Sequence, residues 1–511
     1  MKRIFYTTVL GAMVSMTILS GCKKDFLEVA PQGQLTEEQA LIDPAAADKL
    51  VGGVYNTLYF QGTVGLKLLV IADVTSDDSD KGSVPSDNGF DGIFTDNFTY
   101  GPNTGIFNDV WVDYYKGIGR ANKAISILEA GTYDETTKNR LLGEVRFLRG
   151  MYYFNLVRMF GGVPKVTRIP AVSEANSDEF QTRATAAEIY AVIEEDLLFG
   201  VDHLPMKGEA GSQVGRATKG AAQALLSKVY LYEKKWQQAY DMSLAVMNSG
   251  KYDLYGNYAN LFREVGSNSI ESIFEVQTGP NKTGTTCDAI NPNYSNFQGP
   301  RGTFPVNTVN GESYTAGDLG FGLNTPSSNL ADAYEPGDVR KAGTIIFTSP
   351  TTTTTLWDGF VIPVFASNGV ANERYNYKGY HSPFLERKAC NGINDKDNKP
   401  KNIRLIRFAE VLLINAEAAT HTGGDAAGPL TRVRARASLG AVAATEANIW
   451  KERRVELAME GDRFFDLVRT GQANAVFTAL GKPYVVGKHE VFPIPQAQIN
   501  FSNGKLTQNN Y

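Results

Sequence analysis

The spacing of hydrophobic residues predicts helices in three parts of the chain, at about residues 35–60, 108–250 and 402–470. In the second part, apolar side chains recur near the 3.6-residue period of an α-helix, at Leu141, Leu148, Tyr152, Leu156 and Met159. The segment of about 265–400 lacks this period and is rich in Gly, Pro, Asn, Ser and Thr. Such a composition predicts turns, short strands and surface loops. We therefore predict a mainly α-helical fold that carries a loop-rich insertion.

One segment predicts a helical hairpin of the tetratricopeptide type. Residues 218–232 and 236–248 form its two helices, and the large Tyr230 precedes the small Ala239 at a spacing typical of such repeats. A further helix is predicted to begin at Phe408. The alternative is a set of amphipathic helices that do not stack into a superhelix.

The N-terminus has the pattern of a lipoprotein signal sequence. Lys2 and Arg3 precede an apolar stretch at residues 4–19, a pattern typical of a secretory signal rather than a membrane span. The sequence Leu19-Ser20-Gly21-Cys22 resembles a bacterial lipobox, in which cleavage leaves Cys22 to carry the lipid. Two or more acyl chains hold a protein firmly on a bilayer. We predict a signal peptide at 1–21 and an anchor at Cys22; the alternative is an ordinary signal peptide with an incidental cysteine.

The charge balance argues against a nucleic acid partner. The 511 residues carry 50 Lys and Arg against 55 Asp and Glu, a formal net charge of −5, and no basic cluster is present. Nucleic acid binding draws on clustered Lys and Arg. The chain also has no internal run of eighteen apolar residues, so we predict no membrane-spanning helix.

Two cysteines follow Cys22 in the chain, Cys287 and Cys390. Neither belongs to a Cys-x-x-Cys motif, which argues against a thioredoxin-like or zinc site. An exported protein is able to form a disulfide, although the separation of these residues does not determine whether they pair. We expect two unpaired, partly buried thiols, with a disulfide as the alternative.

A group of regularly spaced glutamates raises the question of catalysis. Glu452, Glu456 and Glu460 recur every four residues, with Arg453 and Arg463 close by. Glycoside hydrolysis uses paired carboxylates, but these must converge from opposite sides of a sugar, which neighbours on one helix face do poorly. Such neighbours are better suited to ion pairs. We predict no catalytic residues and an ion-pair network that fastens the last helix to the repeat scaffold.

No cofactor and no metal ligands are predicted. The four histidines share no ligand spacing. Residues 395–398 alternate oxygen-bearing side chains but lack the glycine and the final acidic residue of an EF-hand loop. Asp77, Asp78 and Asp80 leave Ca²⁺ open as an alternative to solvated loop acids.

Short motifs then recur in a fixed order along the whole mature chain. They lie at residues 25–31, 111–115, 120–125, 144–154, 160–164, 324–326, 334–340, 407–418, 452–457, 460–467, 492–495 and 508–511. Together they resemble the SusD/RagB family of outer-membrane nutrient-binding lipoproteins. Each motif alone is weak, whereas the ordered set is specific.

This resemblance implies tetratricopeptide-like helical hairpins, wound into a right-handed superhelix, that support a loop-rich ligand surface. The implied organisation is one domain at 22–511, with the scaffold at about 35–250 and 402–511 and the insertion at about 265–400. The implied function is non-catalytic: a lipid-anchored protein at the surface of the outer membrane captures oligosaccharide or polysaccharide and delivers it to a SusC-like TonB-dependent transporter. The alternatives are a surface glycoside hydrolase and a tetratricopeptide scaffold that binds peptides.

A glycan site needs exposed aromatic rings for the C–H faces of sugars and polar side chains for their hydroxyls. Two stretches have this composition. The stretch at 73–100 includes Phe94 among its aromatic residues, and the stretch at 291–321 includes Arg301 among its polar residues. From them we select as candidate glycan-binding residues Asp77, Asp78, Phe98, Tyr294, Phe297, Tyr314 and Phe321. Phe321 occupies a position where the family commonly has an aromatic residue. For each ring, and for Trp357 outside these stretches, the alternative is packing beneath the loops.

Overall fold

The structure is a computed structural model that describes residues 36–87, 91–283, 286–290, 293–365 and 370–511, with side chains described outside 280–292. The predicted signal peptide and Cys22 lie outside the described residues. The described part of the chain is mainly helical, with short strands concentrated between the two helical regions.

The helices, in chain order, are α1 (Glu37–Ile42), α2 (Pro44–Tyr55), α3 (Leu66–Leu69), α4 (Gly92–Asp96), α5 (Gly105–Ala130), α6 (Glu135–Phe160), α7 (Asp178–Gln181), α8 (Ala186–His203), α9 (Lys219–Tyr232), α10 (Trp236–Asn248), α11 (Tyr258–Leu261), α12 (Tyr294–Gln298), α13 (Ser328–Ala333), α14 (Arg340–Thr344), α15 (Phe408–Thr422), α16 (Ala427–Arg436), α17 (Glu446–Glu456), α18 (Arg463–Arg469), α19 (Ala473–Ala479) and α20 (Gln496–Phe501).

The strands are β1 (Ser79–Gly82), β2 (Ser272–Val276), β3 (Gly279–Thr283), β4 (Thr286–Ile290), β5 (Asn307–Val309), β6 (Glu312–Tyr314), β7 (Leu323–Pro326), β8 (Ile345–Phe347), β9 (Thr354–Thr355), β10 (Val361–Ile362), β11 (Arg374–Asn376) and β12 (Ile403–Arg407). They form two-stranded antiparallel sheets that pair β1 with β7, β2 with β12, β3 with β4, β5 with β6, β8 with β11 and β9 with β10.

The long helices pack side by side in succession. α5 packs on α6, α6 on α8, α8 on α9 and α9 on α10, and α15 and α16 continue the row from α10. The predicted hairpin is confirmed as α9 and α10, with Tyr230 and Ala239 both buried. The helix predicted from Phe408 is confirmed as α15. This row of helical hairpins is the tetratricopeptide-like scaffold that the hydrophobic spacing predicts.

Local signals in the sequence set the ends of these helices. The side chain of Asp134 accepts a hydrogen bond from the backbone N–H of Thr137 at 2.9 Å and so caps the first turn of α6. Thr185 and Glu188 form a capping box at the start of α8. α15 ends at Gly423, whose φ of 77° lies in the left-handed region that glycine adopts without strain.

The loop-rich insertion contains a hydrophobic core of its own, separate from the main core of the scaffold. Its buried residues lie between 304 and 384 and include Phe304, Tyr314, Leu319, Ile346, Phe360, Tyr375 and Tyr380. Because strands of two or three residues bury little surface by themselves, this aromatic cluster is what gives the insertion a defined shape.

A buried ion-pair network joins the insertion to the scaffold. We call it the central ion-pair network, and its members are Glu271, Asp338, Arg340, Lys378, Arg407, Arg436, Glu452, Glu456 and Glu460. The predicted ion-pair role of the three glutamates is confirmed, but Glu460 lies beyond the end of α17 rather than on its face.

Glu456 stands at the centre of this network. Its carboxylate lies 3.1 Å from Arg340, 3.0 Å from Arg407 and 2.5 Å from Arg436. Burial alone would raise the pKa of this carboxyl, but the three guanidinium groups hold the pKa well below its usual range. The carboxylate is therefore ionised, and it pairs with side chains from α14, β12 and α16 at the same time.

The expectation for the cysteines is wrong at Cys390, which is disulfide-bonded. The side chain of Cys287 lies outside the described residues.

We predict that Glu456→Gln lowers the free energy of unfolding by about 3–5 kcal/mol, because three buried guanidinium groups lose the carboxylate that compensates them. The matched control is Lys123→Gln. This lysine forms an exposed ion pair of 2.6 Å with Glu37, and removing it should cost at most about 1 kcal/mol. Urea denaturation of both variants measures the difference. If the two substitutions lower the free energy of unfolding equally, the network does not have the stabilising role proposed for it.

Candidate functional site

The structure brings together the two stretches that the sequence selected for glycan binding. β1 and β7 pair, with Ser79 opposite Pro326 and Gly82 opposite Leu323. Beyond the last pair, the backbone N–H of Ser83 donates to Gly322 O at 2.5 Å. Residues separated by more than 200 positions therefore meet at one edge of the insertion.

At this edge an aromatic ring lies among polar side chains. We call the surface the ligand face, and it consists of Asp87, Arg301, Phe321, Asn372 and Lys396. Arg301 Nη1 donates to Asp87 Oδ2 at 3.0 Å. Lys396 Nζ lies 5.9 Å from the centroid of the Phe321 ring.

Close backbone packing holds the members of the ligand face together. A Cβ built on Gly322 would lie 3.0 Å from both Arg301 Cβ and Asn372 Nδ2. The φ of Gly322 is 68°, in the left-handed region, so this position requires glycine for two reasons. Phe321 is half-buried against the scaffold core, with its ring centroid 5.7 Å from that of Phe297.

The charges of the ligand face are balanced. Arg301 is paired with Asp87, and Lys396 Nζ lies 2.8 Å from Asp318 Oδ1. All four side chains are partly exposed. The face therefore offers hydrogen-bond donors and acceptors without an excess of positive charge.

The prediction that Asp77 and Asp78 face the ligand is wrong, because both are buried in ion pairs. Asp77 lies 2.7 Å from Arg463 and 3.0 Å from Arg454, and Asp78 lies 2.7 Å from Arg454. Burial opposes ionisation of Asp77, but the two arginines lower its pKa below the usual value. These aspartates hold β1 against the last helices and so position the ligand face indirectly.

The expectation of exposed rings is also wrong for four of the five aromatic candidates. Phe98 lies against Phe477 and Tyr484, at centroid distances of 4.7 and 5.7 Å. The remaining three are buried in the two hydrophobic cores: Tyr294 and Phe297 in the scaffold core, and Tyr314 in the insertion core. The stretches that contain these rings have the composition of a glycan-binding surface, but the ring faces are covered by protein.

Three members of the ligand face, Asp87, Asn372 and Lys396, are not among the candidates that the sequence suggests. Asn372 and Lys396 lie outside both selected stretches and reach the ligand face only through the fold of the insertion. Asp87 lies within the first stretch, but it does not differ in sequence from the buried aspartates beside it. No local pattern distinguishes these three residues from ordinary surface polar residues.

The described residues contain no group of three or more His, Cys, Asp or Glu side chains arranged to hold a metal ion. At residues 395–398, Asp395 Oδ1 instead accepts hydrogen bonds from the backbone N–H groups of Asp397 and Asn398, each at 3.1 Å. This carboxylate oxygen of Asp395 is therefore engaged by backbone N–H groups of its own segment.

Models of known protein families match most of the chain. Residues 25–231 match a family described as starch-binding and associating with the outer membrane, and residues 270–511 match the SusD family. The chain belongs to the SusD/RagB family.

Individual relatives of this SusD/RagB protein agree. SusD-like protein P2 from Formosa agariphila is 27% identical over 98% of both chains, and the starch-binding protein SusD from Bacteroides thetaiotaomicron is 25% identical over 78% of this chain and 77% of the relative. A solved laminarin-binding SusD-like protein has a TM-score of 0.75 and 29% identity, and covers 91% of this chain and 99% of its own. Relatives that are named for an activity are named as binding proteins, not as enzymes.

Within the described ranges of this SusD/RagB protein, none of the helices combines the length and apolar character needed to cross a membrane.

We predict that Tyr314→Ala lowers the free energy of unfolding by about 3–5 kcal/mol, because the ring fills the insertion core. The Tyr314 hydroxyl also donates to Asp318 O at 2.6 Å. The control is Phe501→Ala, because this ring is 76% exposed and its removal should change stability by at most about 0.5 kcal/mol. Thermal melting of both variants tests the assignment. If Tyr314→Ala has the melting temperature of the wild type, the ring is not a core residue and becomes a candidate ligand contact again.

Proposed function

We propose that this protein binds a neutral glycan on the ligand face and does not cleave it. The observation that carries the proposal is the juxtaposition of the half-buried Phe321 ring with charge-balanced polar side chains at one edge of the insertion. The ring stacks on the C–H face of a sugar, while Arg301 and Asn372 reach its hydroxyls. A rigid helical scaffold that presents loops is a suitable support for such a site.

The charge pattern supports a neutral rather than an anionic glycan. A site for uronate or sulfate groups would require cationic side chains that are free to meet them. Arg301 and Lys396 are each already paired with a carboxylate at 3.0 Å or less. The net charge of −5 also disfavours the approach of polyanions.

The names of the relatives supply the first ligands to test. One relative is named for starch and one solved structure for laminarin, both of them neutral glucans. We therefore propose a glucan, or a closely similar neutral polysaccharide, as the ligand class.

We further propose that the protein is a lipid-anchored component of the outer-membrane surface that passes glycan to a SusC-like TonB-dependent transporter. The lipobox around Cys22 supports the anchor, and the description of the matching family supports the outer membrane. The transporter follows from the resemblance of the ordered sequence motifs to the SusD/RagB family.

We predict that Phe321→Ala lowers affinity for the bound glucan by about 5- to 150-fold, because a central ring that stacks on a sugar contributes on the order of 1–3 kcal/mol. Affinity electrophoresis in gels that contain laminarin or starch measures the effect, with polygalacturonate as the anionic comparison. Phe501→Ala is the matched control, since it removes an exposed ring that is not a member of the ligand face.

Two results would count against this function. Wild-type protein that is retarded by polygalacturonate but not by neutral glucans would contradict the neutral ligand. Release of reducing ends by the purified protein would contradict the absence of catalysis.

We predict that Cys22→Ser protein leaves the membrane fraction and becomes soluble, because the acyl chains supply the attachment. Fractionation of cells followed by immunoblotting gives the distribution. Substituted protein that still sediments with the outer membrane would show that the attachment has another source.

A further inference from the structure

A cleft in the insertion lies beside the ligand face and has no role in the proposal above. Its volume is about 480 Å³, within the range of ligand-binding clefts. α14, β8 and β9 supply most of its lining, together with Tyr377. We call it the Trp357 cleft, after the exposed residue that follows the lining residue Leu356 in the sequence.

Two aromatic rings stand out at this cleft because they are exposed. Phe347 lines the cleft, Trp357 follows the lining residue Leu356 in the sequence, and each of the two aromatic residues is 42% exposed. The aliphatic residues of the lining, Ile345, Ile346 and Leu356, are buried. The apolar surface that the cleft presents to solvent is therefore mainly aromatic.

Trp357 is fixed by one backbone hydrogen bond and one contact of its ring. Its backbone N–H donates to the hydroxyl of Tyr377 at 2.9 Å. The buried guanidinium of Arg263 lies 4.2 Å from the Tyr377 ring centroid and 5.4 Å from the Trp357 ring centroid. Arg263 is itself fixed by a hydrogen bond of 2.8 Å to Tyr377 O. A ring that is supported in this way loses little conformational freedom when a ligand stacks on it.

Polar groups suited to hydroxyls surround the rings. Thr355 is exposed, and the ammonium of Lys341 lies 5.7 Å from the Phe347 ring centroid. Asp338 is occupied by Arg340, at 2.8 Å. Exposed rings with hydroxyl and ammonium groups at their edge match the two-sided chemistry of a sugar.

The pairing of β8 with β11 connects the residues of the cleft to those of the ligand face. Phe347 pairs with Arg374. The next residue, Thr348, donates from Oγ1 to the carbonyl oxygen of Asn372 at 2.7 Å. Asn372 belongs to the ligand face, so Thr348, the residue that follows β8, connects the cleft lining to the backbone of the ligand face.

We propose that the Trp357 cleft is a second sugar-binding region that holds the continuation of a glycan chain bound at the ligand face. This inference rests on the proposed function, and it adds a dependence on chain length. A short oligosaccharide occupies the ligand face alone. A longer chain also contacts Trp357 and Phe347 and gains affinity from both regions.

The test compares ligands of different length on the full-length protein. Isothermal titration uses laminarin and soluble starch as polymers, and laminaritriose and maltotriose as short ligands. Trp357→Ala should weaken binding of the preferred polymer about tenfold, as expected for a stacking ring. It should leave binding of the matching trisaccharide within about twofold, because that ligand does not reach the cleft.

Three variants accompany this comparison. Trp357→Phe keeps a ring and should recover most of the polymer affinity. Phe501→Ala should bind every ligand as the wild type does. Phe321→Ala should weaken trisaccharide and polymer alike, and melting temperatures measured in parallel exclude unfolding as the cause.

The outcomes separate the two proposals. If Phe321→Ala loses binding while Trp357→Ala binds both ligand lengths as the wild type does, the cleft is not a sugar site and the proposed function stands. If Trp357→Ala loses affinity equally for the polymer and for the trisaccharide, the proposal that the cleft holds the continuation of the chain is wrong. If wild-type protein binds no neutral glycan, the proposed function fails and this inference fails with it.

Discussion

The arrangement of the whole molecule depends on one buried carboxylate and the guanidinium groups around it. Glu456 on α17 lies within 3.1 Å of Arg340, Arg407 and Arg436, which come from α14, β12 and α16. A buried charge without a partner is expensive, so these elements are stable only when they are assembled together. The network links the loop-rich insertion to the helical scaffold through ionic contacts. These add to the apolar contacts that Tyr294 and Phe297 make in the scaffold core.

A second set of buried ion pairs positions the ligand face in the same way. Asp77 and Asp78 pair with Arg454 and Arg463, at either side of the end of α17. They hold the segment that leads into β1, and β1 in turn pairs with β7 next to Phe321. The residues that touch ligand in our proposal are therefore placed by charges that do not touch it. This separation leaves the exposed surface free to vary while the interior fixes its position.

The charges of the ligand face balance, since Arg301 and Lys396 each form an ion pair with a carboxylate. Together with the braced indole of Trp357, the ligand face forms a surface in which aromatic rings alternate with balanced polar groups. Such a surface gains affinity from repeated modest contacts along a chain rather than from one deep pocket. That mode suits the capture and release of a polymer that we propose for this protein.

Local patterns in the sequence determined the helical scaffold. The hairpin of α9 and α10 follows from hydrophobic spacing and from the pairing of a large with a small residue, and both are properties of neighbouring positions. The ion-pair role of Glu452 and Glu456 could also be predicted, because side chains four residues apart share a helix face. Their partners could not: Arg340 lies more than a hundred positions away, and only folding brings it within reach.

Tertiary structure decided which side chains are exposed. The sequence placed Phe321 and Arg301 in a stretch of suitable composition, but it placed Tyr294, Phe297 and Tyr314 there equally. A ring covered by protein and a ring that faces solvent have the same local sequence, because exposure depends on what packs against the ring from distant segments. Asn372 and Lys396 reach the ligand face for the same reason, through contacts that no nearby residue encodes.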